Sequence, residues 1–403
     1  MHSMNILFIT IAWPAKGERN LYSDLIHEFT KNGHKAYVVC NDEQAHHSNA
    51  EQVDGIHVLR VRSSKIRKAK KFQKAISLFT LGRKFSLELF KQYPDLHIDI
   101  ILGHSPPITL SRLYGSLKRR YNAPVYYMLK DIWPDGPADL NIIRRNGIIY
   151  RYFRSHERRT YRTVDFIGCM SPMNVDYIRE RNRFLSAEKV EVCPNTITPR
   201  KMKLEESKTT IRAKYNIPED ARIFIFSGNL GRAHGLDIYL QAIEKVRDIK
   251  NAFFLIGGSG QYFRFLEKEI VGRGITNIGI YSRLPAEEFD QLLLACDVGV
   301  VLLSASYTVP QFPSRLLAYL EAGLPVFCAV NKDTDIGSIV EDAKCGLSVI
   351  HGDMEAFNKG VAYFCDSDNF ESIQTMGLNS LALLQEKYSS ENSFNIIIKH
   401  FDE

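Results

Sequence analysis

Pro313-Ser314-Arg315-Leu316-Leu317-Ala318-Tyr319-Leu320-Glu321-Ala322-Gly323-Leu324-Pro325-Val326 reads as a loop, a short helix and a sharp turn into the buried strand Val326–Ala329. Pro313 stands where a helix start tolerates proline, and Ser314 and Arg315 follow in the first turn. Amides there have no intrahelical partner, so an anion fits the helix start, and Arg315 adds charge. Leu316, Leu317 and Leu320 share a core-facing stripe, while Glu321 falls elsewhere on the surface.

Outward from that stretch, the second half alternates short apolar runs with amphipathic ones. The strands expected are Ile223–Ser227, Ala252–Ile256, Ile278–Tyr281, Val298–Leu302, Val326–Ala329 and Leu347–Val349, with helices between them. Gly228-Asn229-Leu230-Gly231-Arg232-Ala233-His234-Gly235 follows the first of these strands and precedes a helix. Glycines let a backbone approach a ligand closely, and Arg232 could neutralise a diphosphate; a plain strand-to-helix turn would look the same. Gly257-Gly258-Ser259-Gly260 makes a second such turn, and it lacks the spacing of the dinucleotide fingerprint.

The first half repeats the scheme, with strands expected at Ile6–Thr10, Lys35–Val39, His57–Val61, Ile98–Leu102, Val125–Leu129, Phe166–Cys169 and Lys189–Val192. Leu21–Lys31 reads as a helix stopped by Asn32-Gly33. Strands separated by helices argue for parallel sheets covered on both faces. The polar, proline-flanked stretch 196–218 marks a boundary, giving domains at 1–197 and 198–386, and 387–403 holds a last helix. The fold class expected is α/β: two doubly wound, Rossmann-like domains whose loops surround a shared cleft. Two further motifs end first-half strands. Asp131-Ile132-Trp133-Pro134-Asp135 sets an indole beside carboxylates, which suits a sugar, though Asp131 as a helix cap beside a structural tryptophan fits as well. His104 closes Ile101-Leu102-Gly103-His104.

Composition excludes more than it assigns. The 403 residues are 45% hydrophobic and 24% charged, an ordinary globular balance with apolar material for two cores. The seven cysteines are scattered and show no metal or disulfide spacing, which suits a reducing cytoplasm. No signal peptide and no spanning apolar run is read. Net charge is only +6, yet Lys65, Arg67, Lys68, Lys70, Lys71 and Lys74 form one basic run, and Arg144, Arg145, Arg151, Arg154, Arg158, Arg159 and Arg162 another. No nucleic-acid module accompanies them. Solvated helix faces explain much of this charge, and an anionic membrane surface is the functional alternative. Asp333-Thr334-Asp335 has the look of a metal motif, but it follows a buried strand where Asp335 would cap a helix, so no metal is expected.

The opening stretch resembles the donor-nucleotide helix of the family 4 glycosyltransferases, whose usual form is Pro-Ser-Lys-Leu-Leu-Glu-Tyr-Met-Ala-Ala-Gly-Lys-Pro-Val. Asp131–Asp135 resembles the Asp-Leu-Trp-Pro-Glu signature of the bacterial surface-polysaccharide members. The resemblance implies the GT-B fold, with the C-terminal helix crossing back to the first domain. It implies a retaining hexosyl- or N-acetylhexosaminyl-transferase acting in polysaccharide or glycoconjugate assembly. No cofactor is implied beyond a nucleotide-sugar co-substrate, UDP- or GDP-linked, and the acceptor is a glycan, a glycolipid or another hydroxyl compound. Donor contacts would then come from Gly228, Asn229, Gly231, Arg232, His234, Gly258, Ser259, Leu284, Pro313, Ser314 and Arg315. Acceptor contacts would come from Gly17, Glu18, Arg19, Trp133 and Asp135, with His104 and Asp131 nearest the chemistry. The family's ribose-binding glutamate falls on Ala318, so Glu321, one turn on, is the substitute expected. A subunit that supports a partner transferase and a sugar-nucleotide epimerase are the other readings of this fold. The enzyme is expected in the cytoplasm, peripheral on the inner membrane face.

Overall fold

The structure, a computed structural model, describes residues 2–63 and 71–401, the stretch 71–79 by its backbone alone. Lys65, Arg67, Lys68 and Lys70, and the side chains of Lys71 and Lys74, lie outside the described residues. The chain divides into two units, Met1–Thr198 with Ser389–Glu403, and Pro199–Tyr388.

The first unit is built on β1 (Asn5–Ile9), β2 (Lys35–Asp42), β3 (Asn49–Val53), β4 (Ile56–Arg62), β5 (Ile100–His104), β6 (Val125–Leu129), β7 (Phe166–Cys169) and β8 (Val190–Val192). They form one sheet in the order β3-β4-β2-β1-β5-β6-β7-β8. Every neighbour is parallel except β3 against β4. Strands covered on both faces must be apolar throughout, and β5 and β6 are buried at every position. β3 was not expected from the sequence. It is an edge strand, Asn-Ala-Glu-Gln-Val, in which Val53 alone is buried, so it carries no apolar signal.

The helix Leu21–Lys31 begins with a capping box: the Asn20 side chain accepts from the Tyr22 and Ser23 amides, and Ser23 returns a bond to the Asn20 amide. The last helix, Ser390–Ile398, returns to this unit and packs on Leu21–Lys31, with Phe29 and Phe394 ring centroids 4.9 Å apart. Phe394, Ile397 and Ile398 join Ile6, Phe8, Ile26, Phe29, Val38 and Ile100 in one core.

The second unit holds β9 (Arg222–Asn229), β10 (Ala252–Ser259), β11 (Ile278–Tyr281), β12 (Val298–Leu302), β13 (Val326–Val330) and β14 (Gly346–Ile350). All are parallel, in the order β11-β10-β9-β12-β13-β14. Phe224, Phe226, Leu240, Phe254, Val300, Phe327 and Phe357 fill its core. In each sheet the strand order reverses at one place, between β1 and β5 and between β9 and β12. Loops leave such a switch point in opposite directions and open a crevice beyond the carboxyl ends of the strands. Gly228, His234 and Arg315 gather at the second of these ends and His104 at the first. Among the described residues, no helix is long and apolar enough to cross a membrane.

Candidate functional site

At the switch point of the second unit, Arg315 opens the short helix Arg315–Glu321 and reaches across to the end of β9. Its guanidinium carbon lies 4.0 Å from the centroid of the Phe226 ring, and its Nη2 donates to His234 Nε2 at 3.0 Å. The His234 Nδ1–H donates in turn to the Leu302 carbonyl, 2.9 Å away at the end of β12. Gly228, at φ 117°, lies directly beside: a Cβ built on it would sit 3.8 Å from Arg315 Nη2. Arg315 Nη1 is sealed from solvent and has no hydrogen-bond partner. Burial lowers the Arg315 pKa to about 10, which leaves it charged at neutral pH. Burial, then the neighbouring Arg315 charge, lowers His234 to about 3, so the imidazole is neutral and accepts from the guanidinium. No carboxylate offsets this cation among the described residues. A partly buried charge without a counter-ion is costly, and a bound anion reduces that cost.

The remaining residues of this loop set fall around Arg315. Asn229 and Arg232 are exposed, Gly231 accepts from the His234 amide, and Arg232 has no ion pair among the described residues. Pro313 and Ser314 precede the helix, and Ser314 makes no side-chain cap. Gly258 and Gly260 answer a demand within the protein itself: a Cβ on Gly258 would lie 1.9 Å from the Gly228 carbonyl oxygen, and one on Gly260 2.4 Å from that of Leu230. The Ser259 carbonyl accepts from the Leu230 amide at 2.9 Å, which ties the two turns together. Leu284 is half-buried in the turn after β11.

Glu321 does not stand where the sequence reading put it. Its buried carboxylate accepts from the Arg200 amide at 3.0 Å and from Arg200 Nη2 at 3.1 Å, and Arg200 also pairs with Asp290 at 3.0 Å. The helix turns Glu321 toward the start of the unit, where it anchors the incoming chain. Asp335 occupies the N-cap position of the helix Ile336–Asp342 without a side-chain capping bond, contrary to the expected cap.

At the switch point of the first unit, His104 ends β5 and is buried. Its Nε2 lies 3.0 Å from Thr10 Oγ1 and its Nδ1 3.1 Å from the Tyr22 hydroxyl. Thr10 donates to the Ala12 carbonyl, so it accepts from Nε2–H, and Nδ1 then accepts from Tyr22. The Tyr22 and His104 rings stack with centroids 4.2 Å apart. Burial lowers His104 to about 4, against a smaller opposing effect of the Ser105 carbonyl. Asp131 presents surface to solvent yet sits low among neighbouring atoms, and that crowding raises its carboxyl above the ordinary range. Its charge is felt at Tyr22, and its backbone amide donates to Ser105 Oγ at 3.1 Å. Lys130 lies beside it, its Nζ on the Cys193 and Pro194 carbonyls at 3.5 and 3.3 Å, with burial lowering its pKa. Thr10, Tyr22 and Lys130 were missed from the sequence. Their signal was positional, since Thr10 and Lys130 each follow a buried strand directly.

Three expected acceptor residues are otherwise engaged. Asp135 is enclosed, its side chain 1% exposed, and it takes Arg181 Nε at 2.7 Å, Arg145 Nη1 at 3.2 Å and the Tyr150 hydroxyl at 2.6 Å. It is a buried anchor rather than an acid open to a sugar. Arg19 donates to the Thr198 carbonyl at 3.0 Å and lies 3.6 Å from Asp24, so it latches the end of the unit's first segment. Glu18 turns back on the Ala15 amide of its own loop, at 3.4 Å, and Gly17 takes φ 83° beside it. Trp133 stays half-buried, edge-on to Phe153 at 5.4 Å.

Comparison with known proteins decides what these two crevices belong to. The model for glycosyl transferases group 1 matches residues 207–379, and that for Glycosyltransferase Family 4 matches 18–201. The chain belongs to glycosyltransferase family 4. It is 24% identical to WbjE of Pseudomonas aeruginosa, named as a glycosyltransferase, over 72% of this chain and 71% of that one. It is 24% identical to WcaI of Escherichia coli K12, named for colanic acid biosynthesis, over 60% of each chain. Among solved structures, Anabaena HepE in complex with UDP-glucose aligns with a TM-score of 0.69 at 15% identity, covering 98% of this chain and 99% of that one. That likeness carries the fold, GT-B. In this glycosyltransferase Ala318, the position where the sequence resemblance puts the family's ribose glutamate, is half-buried on the same helix as Arg315.

Proposed function

We propose that the chain transfers a sugar from a nucleotide-sugar donor to a hydroxyl acceptor in polysaccharide or glycoconjugate assembly, with retention at the anomeric carbon. The observation that carries this reading is the half-buried Arg315 guanidinium, with Nη1 sealed and unpartnered and no carboxylate to offset it among the described residues. A diphosphate is the matching anion, and Gly228 leaves the backbone room for it. The name of WcaI supports the polysaccharide setting, and the UDP-glucose bound to HepE supports the donor class.

In this reading the second unit binds the donor. Arg315 neutralises the diphosphate as it departs, Arg232 adds an exposed charge, and no metal is needed. The first unit binds the acceptor, with Trp133 as the sugar platform and Asp131 and His104 orienting the attacking hydroxyl. The bond from the anomeric carbon to the phosphate oxygen breaks, and the acceptor oxygen bonds that carbon on the same face. The hydroxyl proton passes to the departing phosphate oxygen, so His104, neutral and engaged at both nitrogens, serves by position and not as a base. Calorimetric titration with UDP, GDP and their sugar conjugates tests the seat. Wild type should bind one of them and Arg315→Met should not; equal binding by both would remove the reading.

A further inference from the structure

The helix Ile148–Thr163 leaves its first turn uncovered. Ile148 is 88% exposed and Ile149 58%, and Ile142, just across the turn at Asn146, is 61% exposed. Three large aliphatic side chains thus face water within one short stretch, where a scattered single one would need no account. Arg144, Arg145 and Arg151 are exposed among them. Arg144 and Arg145 line an open depression of about 520 Å³ with Asp139 and Asn141. Arg145 is shared with Asp135 and Asp139, but Arg144 and Arg151 have no carboxylate partner among the described residues. One turn further, Tyr152 and Phe153 are half-buried, and Phe153 meets Trp133. The apolar surface therefore leads from the isoleucines to the side of the unit assigned above to the acceptor.

Aliphatic tips ringed by guanidinium groups match the two layers of a lipid surface. Hydrocarbon takes the isoleucines, and phosphate head groups take the arginines. We propose that the stretch 142–151 docks this unit on an anionic bilayer, so that the acceptor is met at a lipid surface. The proposal extends the acceptor reading above, and its test is independent of sugar transfer.

Co-sedimentation of the full chain is measured with vesicles of equal parts phosphatidylglycerol and phosphatidylcholine, and with phosphatidylcholine alone. Wild type should partition onto the anionic vesicles and be released by salt. The double variant Ile148→Ser/Ile149→Ser should lower that partition about tenfold, through the apolar area it withholds from the lipid. Arg144→Glu/Arg151→Glu should lower it at least about tenfold through charge. Val271→Ser removes an equally exposed aliphatic, 82% exposed, from the second unit and should change nothing. Thermal melts and UDP titration check that each variant is folded and that the donor seat is intact, which separates a failure here from a failure of the donor reading. The proposal is overturned by a wild type that ignores anionic vesicles, by isoleucine variants that sediment as wild type, or by an equal loss in Val271→Ser. It is equally overturned if the isoleucines govern self-association in sedimentation velocity and not vesicle binding, since the face is then a contact with a second copy.

Discussion

Arg315 Nη2 donates to His234 Nε2 at 3.0 Å, and His234 in turn holds the Leu302 carbonyl at 2.9 Å. One neutral imidazole thus aims one half-buried cation and fixes it to the end of β12. The arrangement separates the group that carries charge from the group that positions it, and the two should fail differently.

Arg315→Met should weaken nucleotide binding at least about tenfold, since a hydrogen bond to a charged group is worth roughly 1.5–3 kcal/mol. The same change removes a charge with no partner at Nη1, so the melting temperature should hold or rise. Calorimetry and thermal denaturation on one sample distinguish this from general damage, in which both would fall.

The two buried histidines set a pH dependence of stability. His234 titrates at about 3 and His104 at about 4, against an ordinary 6.5. As pH falls from 6.5 toward 4, the unfolded chain takes up protons that the folded chain refuses, so stability is lost with acid. Each group should add about 1.4 kcal/mol per pH unit to that slope. Urea titrations across the window should show a flatter slope for His104→Asn and for His234→Asn; slopes matching wild type would contradict the assignment.

Asp135→Asn should unfold more readily without altering acceptor use. It leaves Arg181 and Arg145 facing an uncharged amide at a site 1% exposed. Breaking a buried pair costs several kcal/mol, and the partial exposure of both arginines reduces this to about 2–3 kcal/mol. Chemical denaturation reads the loss, and an unchanged acceptor KM in the folded fraction separates anchor from ligand.

Glu321→Gln should likewise cost stability, about 1–3 kcal/mol, with donor KM unchanged, because its carboxylate serves Arg200. Ala318→Glu should tighten nucleotide binding several-fold, about one hydrogen bond to ribose. Titration with UDP checks both, and a raised KM for Glu321→Gln would return that residue to the donor site.

Transfer activity should survive EDTA. The diphosphate charge is assigned to Arg315 and Arg232, and strict dependence on Mg²⁺ or Mn²⁺ would show that a metal shares that work.

The sheets were legible because a strand covered on both faces must be apolar along its length. Val125–Leu129 and Val298–Leu302 announce themselves in that way, whereas Asn49–Val53 pairs on one side only and reads as loop. The gathering of Gly228, His234 and Arg315 could be inferred because Gly228 lies at the end of one strand and the other two follow strands of the same sheet. What the sequence hid was which charged groups were already occupied. Asp135 looks like a free acid in a sugar motif until Arg181, 46 positions away, is found against it. Glu321 looks available until Arg200, 121 positions away, is seen to hold it. Local pattern reports which face a side chain is on, and long-range pairing decides whether it is spoken for.

The return of Ser390–Ile398 to the first core has a consequence for how the chain is made. The second unit is contiguous, Pro199–Tyr388, and every residue it needs has been synthesised once Tyr388 emerges. The first unit begins earlier but lacks Phe394, Ile397 and Ile398 until the whole second unit has been made. The half begun first is thus the half completed last, and it waits with an apolar groove open along Leu21–Lys31 while nearly two hundred residues pass. A nascent chain stalled or clipped just after Tyr388 would carry a complete second unit and a first unit with its core still open, and exposed apolar surface would mark the latter for quality control.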